Sequence, residues 1–95
     1  MLDKPAGEQL AVSATVLDFT DSLHSPPASD NAEYAFITVH TASVRYRVDG
    51  NAPTAAVGHL AAAGDVIELN SNMEINLFKV IKATGTDAEI FATFI

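Results

Sequence analysis

The amino-acid sequence predicts an all-β fold, namely a small antiparallel β-sandwich of jelly-roll or immunoglobulin-like type with about six or seven strands. Three observations predict this fold class. Apolar residues alternate with other residues in several short segments, these segments are spaced almost evenly, and residues typical of turns separate them. The chain has 95 residues, of which 48% are hydrophobic, so it is long enough for one domain with a buried core.

The first residues have no such alternation. Residues 1–8 are mostly polar and contain Pro5 and Gly7, so they predict a loose N-terminal arm. We therefore expect residues 9–95 to form the single β-sandwich domain.

The first predicted strand spans residues 9–19. Its apolar residues alternate until the phase changes at Leu17, and a change of phase indicates either a β-bulge or the end of the strand. Residues 20–33 follow, with Pro26 and Pro27 among Ser, Asp and Asn, and they predict a long loop.

Two strands follow the predicted loop. Residues 34–41 have apolar side chains at both odd and even positions, so both faces of this strand are largely apolar. This pattern predicts a strand that is covered on both sides or that has one face in an interface. Residues 44–48 alternate regularly and predict a half-buried strand. Within this strand Val44, Tyr46 and Val48 share one face, and Arg45 and Arg47 share the other.

The remaining strands are shorter and are separated by turns. Asp49, Gly50 and Asn51 mark the first of these turns, because Gly and Asn tolerate positive φ. Residues 73–83 fit neither a strand period nor a helix period well, and we favour a strand over 77–83. The other predicted strands are a very short one near 58–60, one over 66–69 and a final one over 88–95.

Composition excludes several classes of partner. Five Lys and Arg against 12 Asp and Glu give a net charge of -7, which disfavours nucleic acid and anionic membrane surfaces as partners. The absence of cysteine excludes disulfides, zinc–thiolate sites and thiol nucleophiles. No secretory signal or transmembrane segment is evident in the sequence.

No pattern in the sequence indicates catalysis or metal binding. His24, His40 and His59 lie far apart in sequence, which is not the spacing of a zinc site. The turn at 49–51 resembles a fragment of a calcium loop but lacks the further ligands. No Gly-x-Ser-x-Gly motif is present, and the carboxylates are scattered. We therefore expect a protein that is not an enzyme and has no catalytic, cofactor-binding or metal site.

Arg45 and Arg47 are the most informative polar residues, because they are the only arginines and lie on one face of one strand of an acidic protein. Arginine is favoured at protein interfaces, so this face is a candidate contact with an acidic neighbour, although a solvated face paired with local carboxylates is the alternative. Tyr34 and Phe36, in the strand that is apolar on both sides, are further interface candidates. The other aromatic residues are expected in the core, and the lack of Trp disfavours carbohydrate binding.

The segments 37–54, 57–60, 64–69 and 78–88 carry a family resemblance. They contain Val-Arg-Tyr-Arg-Val-Asp-Gly, then Pro53-Thr54, Gly58, Gly64-Asp65 and Gly85-Thr86-Asp87-Ala88. Over roughly residues 36–95 this pattern resembles a family of small structural proteins of tailed bacteriophages.

The resemblance implies a component of the virion, at the capsid surface, with no catalytic residue and no cofactor. It implies a capsid decoration (cement) protein that binds the major capsid protein as a homo-oligomer, and we expect a trimer. A tail, neck or fibre component is the alternative within virions. The Asp-Gly-x-x-Pro-Thr hairpin also resembles immunoglobulin-like accessory domains of carbohydrate-active enzymes, which keeps open a carbohydrate-binding module for host attachment.

Overall fold

A computed structural model describes residues 5–19 and 31–95. These residues form seven β-strands and one short helix, and most of the strands have the alternating burial that their sequences predict. In chain order the elements are β1 (Ala6–Val12), β2 (Ala35–His40), β3 (Val44–Arg47), β4 (His59–Ala61), β5 (Val66–Leu69), α1 (Asn72–Leu77), β6 (Lys79–Lys82) and β7 (Ala88–Phe94).

The strands form two antiparallel sheets. The first sheet has the order β1-β7-β2-β5 and the second has the order β4-β3-β6. Buried side chains from both sheets belong to one hydrophobic cluster, as expected when two sheets pack face to face. The predicted all-β sandwich is therefore confirmed.

The core follows from the alternation along the strands. In β7 every second residue is buried, and in β2 and β5 the buried residues face the same side of the sheet. An aromatic cluster extends this core, since the Phe78 ring stacks on Phe19 with centroids 4.7 Å apart and lies 5.7 Å from Tyr46. Phe94 meets Phe19 edge-on at 5.0 Å. These rings join residues of both sheets.

The N-terminal prediction needs correction. Residues 6–8 were expected in a loose arm, but Ala6–Val12 form β1, which pairs with β7 along its whole length. The strand also ends at Val12, seven residues before the predicted end. Leu17 then forms an isolated bridge with Val80 of β6, so the phase change at Leu17 marks the passage of the chain from the first sheet to the second. Residues 1–4 of the expected arm lie outside the described residues.

The segment before β6 also differs from its prediction. A strand was expected over 77–83, whereas Asn72–Leu77 form the helix α1 and the strand begins only at Lys79. Ser71 caps the helix, because its Oγ accepts a hydrogen bond from the Glu74 backbone N–H at 3.1 Å. The helix buries one residue, Ile75, against the core.

The other strands lie within one or two residues of their predicted bounds. Most of the predicted loop over 20–33 lies outside the described residues. Just after it, Tyr34 pairs with Ile95, with backbone hydrogen bonds of 3.2 and 2.8 Å, and continues the ladder between β2 and β7.

Candidate interaction surfaces

The outward side of the first sheet carries exposed aromatic and aliphatic side chains. Because Ile37 and Ile90 point into the core, their neighbours Phe36 and Phe91 point outward. Phe91 is 46% exposed and Val66 is 59% exposed, although both lie in regular strands. We call this surface the aromatic face, and its outward strand residues include Gln9, Phe36, Thr38, His40, Val66, Glu68, Glu89, Phe91 and Thr93.

The Phe91 ring crosses onto β1. A Cβ atom placed on Gly7 would lie 3.4 Å from Cζ of Phe91, so the ring covers this glycine at ordinary contact distance. Such an aromatic cover shields a strand glycine from solvent. The ring therefore lies over Gly7 of β1, and Phe91 still remains 46% exposed.

Hydrogen bonds order the polar rim of the aromatic face. Tyr34 Oη donates to Glu68 Oε2 at 2.8 Å, and this bond, together with partial burial and the nearby charge, raises the pKa of Tyr34. At the opposite edge Gln9 Nε2 donates to Glu89 Oε2 at 3.1 Å. Both carboxylates are thus fixed at the margins of the apolar centre.

Within the described residues, the arrangement that most resembles a catalytic site lies on the aromatic face. An open depression of about 320 Å³ is lined by Gln9, Thr38, His40, Glu89 and Phe91. Thr38 Oγ1 lies 2.8 Å from His40 Nε2, and His40 is opposite Glu89 in the register of β2 and β7. A nucleophilic site would need Glu89 to orient the imidazole and backbone N–H groups to stabilise an oxyanion. Glu89 instead binds Gln9, and the N–H groups around Thr38 belong to the sheet ladder.

The outward side of the second sheet has the opposite charge. Arg45 pairs with Leu60 on one side and with Ile81 on the other, while Arg47 pairs with Lys79. Val80, between Lys79 and Ile81, is fully buried, so these two neighbours point outward with the arginines. We call this surface the arginine face, defined by Arg45, Arg47, Leu60, Lys79 and Ile81.

Both arginines also have acceptors within the chain. Arg45 donates from Nε to the Ala55 carbonyl at 3.3 Å and from Nη1 to the Gly58 carbonyl at 3.1 Å. These bonds tie the loop between β3 and β4 to the sheet. Arg45 is therefore a structural residue in addition to any role at a surface.

Arg47 forms a two-point ion pair with Asp49. Its Nε donates to Oδ1 at 3.1 Å and its Nη2 donates to Oδ2. The arginine, helped by the Asn51 backbone N–H on Oδ1, lowers the pKa of Asp49 to about 2. The same hydrogen bond raises the pKa of Arg47. In the turn after β3 the Asp49 carboxylate therefore stays ionised and bound to Arg47.

The predicted interface residues fall into two groups. Arg45 and Arg47 lie together on the arginine face, whereas Phe36 lies on the aromatic face and Tyr34 lies at its rim. These two surfaces are on opposite sides of the sandwich. The structure therefore brings the two arginines together but does not bring them near Tyr34 or Phe36.

Four surface residues were not identified from the sequence. Phe91 was expected in the core because it is an aromatic residue in a strand. In β7, however, it alternates with the buried residues and therefore points away from the core. This alternation in the sequence could have identified Phe91 as a surface residue. Val66 had the same signal in β5. Leu60 and Lys79 join the arginine face through the pairing of β4 and β6 with β3, which the sequence does not show.

The described residues contain no group of three metal-ligating side chains that come together. His59, one of the three histidines, lies against the Tyr46 ring with centroids 5.3 Å apart, and burial raises the pKa of Tyr46. In residues 5–19 and 31–95 we find no helix with the length and apolar character to span a membrane.

Comparison with known proteins gave no match to any family model, curated protein or solved structure.

Proposed function

We propose that this protein is a non-enzymatic structural protein of a bacteriophage virion, a capsid decoration (cement) protein that binds the major capsid protein and stabilises the head shell. The observation that supports this proposal most is the aromatic face, where Phe36, Val66 and Phe91 are exposed in a chain of net charge -7. A patch of large apolar side chains with a polar rim is typical of a protein–protein contact. The resemblance of residues 36–95 to phage structural proteins supplies the biological setting.

A preformed sheet suits this task. The residues of the aromatic face lie on four hydrogen-bonded strands, so their backbone is ordered before a partner arrives. Binding through such a surface loses little conformational entropy. A protein that binds the assembled shell and not its separated subunits stabilises the shell by mass action.

The chemistry of the aromatic face supports contact in preference to catalysis. Most of its polar side chains are already paired, Tyr34 with Glu68, Gln9 with Glu89 and Thr38 with His40. A rim of paired polar groups around an apolar centre excludes water from a contact without leaving polar groups unsatisfied.

Co-sedimentation with head shells that lack the protein tests this proposal. We expect the wild-type protein to sediment with the shells, and we expect the double variant Phe91→Ser, Val66→Ser to bind at least ~10-fold more weakly, because it loses two exposed apolar side chains. Met73→Ser is the matched control, since Met73 is an exposed apolar residue of α1 that lies on neither sheet.

Two results would overturn the proposal. One is a wild-type protein that stays in the supernatant at all concentrations, and the other is a double variant that binds as tightly as Met73→Ser. Substitution of Arg45 is a less direct test, because Arg45 also holds the Ala55 and Gly58 carbonyls.

A further inference from the structure

The two outer faces of the sandwich are complementary in charge and alike in apolar character. On its strands the aromatic face carries Glu68 and Glu89 and no Lys or Arg among the described residues. The arginine face carries Arg45, Arg47 and Lys79 on its strands, with Asp49 paired to Arg47. This segregation is pronounced, because the whole chain has only five basic residues.

Exposed apolar side chains accompany both sets of charges. Phe91 and Val66 lie between the two glutamates of the aromatic face, in one row across the sheet with Thr38. Leu60, which is 58% exposed, pairs with Arg45 on the arginine face. Each face therefore has an apolar part beside charges that the other face can neutralise.

We propose that copies of this chain associate head to tail, with the aromatic face of one copy against the arginine face of the next. In this contact the apolar parts of the faces are buried together, while Glu68 and Glu89 approach Lys79 and the arginines. Complementary charges of this kind favour one orientation of the partners and speed their encounter. Away from a shell, the occupant of the aromatic face is thus a second copy of this chain.

Charge also disfavours the symmetric alternatives. Two aromatic faces in contact would bring four carboxylates together, and two arginine faces would bring cations together, and like charges in an interface cost free energy. The contact is therefore heterologous. Because the two faces lie on opposite sides of the sandwich, successive copies stack along one axis and do not close into a small ring.

This contact differs from the closed trimer expected from the family resemblance, and it does not rest on the proposed function. A copy bound to a shell through its aromatic face still presents its arginine face to another copy, so the two contacts are compatible. Since self-association is measured without shells, its failure is distinguishable from a failure of shell binding.

Native mass spectrometry and analytical ultracentrifugation of the purified chain test the proposal. We expect a concentration-dependent series of oligomers for the wild type. Two double variants, Phe91→Ser with Val66→Ser and Leu60→Ser with Lys79→Gln, should each be monomeric, because each has lost one of the two faces. Their equimolar mixture should form a dimer with one copy of each and nothing larger, since only one intact pair of faces remains.

A control variant and the salt dependence of association complete this test. Met73→Ser should assemble as the wild type does, and an increase in salt from about 0.05 M to about 0.5 M should weaken association several-fold, because the charges lie at the margins of the contact. A wild type that is monomeric at all concentrations overturns the proposal. So does a closed trimer, or a mixture of the two variants that remains monomeric while the wild type associates.

Discussion

Asp49 shows how one side chain links the sequence to the stability of a turn. Its carboxylate accepts hydrogen bonds from Arg47 and from the Asn51 backbone N–H, and its pKa lies near 2 in place of the ordinary 3.8. A folded-state pKa below the unfolded value means that the ionised carboxylate stabilises the fold above the unfolded pKa, and that this stabilisation is lost as pH falls through the folded value. The stabilisation from this pair is therefore present above pH 3.8 and is lost as pH falls from 3.8 to about 2.

We predict that Asp49→Asn removes this acid-dependent stability. The difference in free energy of unfolding between wild type and Asp49→Asn should shrink as pH falls through this window, as measured by urea unfolding at a series of pH values. Titration of the carboxyl by NMR should give a value near 2 for the wild type and a higher value for Arg47→Gln. Lys82→Gln is the control, because Lys82 pairs with Asp87 instead. A wild-type Asp49 that titrates at its ordinary value of 3.8 would contradict this account.

Position 58 requires glycine because of both its backbone conformation and its neighbouring atoms. Its φ is +134°, a region that favours glycine, and an added Cβ would lie 3.1 Å from the Tyr46 carbonyl oxygen and 3.3 Å from Pro53 Cβ. We predict that Gly58→Ala lowers the free energy of unfolding by about 1–3 kcal/mol. Denaturant unfolding measures the loss.

Gly85→Ala is the matched control for Gly58, because a Cβ at Gly85 meets no atom within 4 Å and its φ is not in the positive range. The control should change stability by no more than about 0.5 kcal/mol. Equal stability of the two alanine variants would show that the close approach at Gly58 carries no cost.

At the scale of elements, the aromatic cluster joins the two sheets. Phe78 lies between α1 and β6, is fully buried and stacks on Phe19 and Tyr46. We predict that Phe78→Ala destabilises the fold by about 3–5 kcal/mol, through lost burial and the cavity left behind. Phe78→Leu should cost less and remain folded, which keeps the comparison measurable if the alanine variant does not fold.

Phe91→Ala serves as the control for Phe78, because Phe91 is a strand phenylalanine of the same size that is 46% exposed. Its loss should cost less than about 1 kcal/mol. The thermal midpoints of the three variants rank these effects directly. An equal cost at both positions would contradict the assignment of Phe78 to the core and Phe91 to a surface.

Alternation in the sequence predicted the elements that have one buried side. For β5 and β7 the buried residues recur with period two, and for β3, β5 and β7 the predicted and observed bounds agree closely. The start of β1 was missed because Ala6, Gly7 and Glu8 lack a strand pattern. They are in a strand because β7 is long enough to pair with all of them. Such tertiary pairing is not visible in local sequence.

The helix α1 was missed for a different reason. Ile75, Leu77 and Phe78 fit both periods poorly, and the strand over 77–83 was favoured on apolar content. Ser71 and Glu74 stand three residues apart, which is the spacing of a helix cap, and in the structure Ser71 Oγ accepts from the Glu74 N–H. This cap spacing is visible in the sequence, and it predicts the helix better than the weak periodicity of the residues that follow it.

The candidate surfaces could be predicted only in part. The alternation within β3 places Arg45 and Arg47 on one side without knowledge of the fold. Lys79 and Leu60 join them only because β6 and β4 flank β3, and that order depends on long-range pairing. Strand parity could have placed Phe91 outside, but an aromatic residue in a strand is more often buried.

At the scale of the whole molecule, charge is distributed unevenly over an acidic chain. Three of the five basic residues lie on the arginine face, although the chain as a whole has a net charge of -7. A small sandwich with opposite outer faces of this kind has two contact surfaces and a thin core between them. Assembly with other proteins adds the buried area that one small domain lacks, and this is the basis of the proposed structural role.

The most direct test of that proposed role is the absolute copy number of the protein in virus particles purified from cells that carry its gene, measured by quantitative mass spectrometry against the major capsid protein. We predict a number of copies comparable to that of the major capsid protein, because a decoration protein binds throughout the shell. A count that corresponds to a single ring would contradict decoration in favour of a tail or neck position. Absence of the protein from purified particles would contradict the structural role altogether.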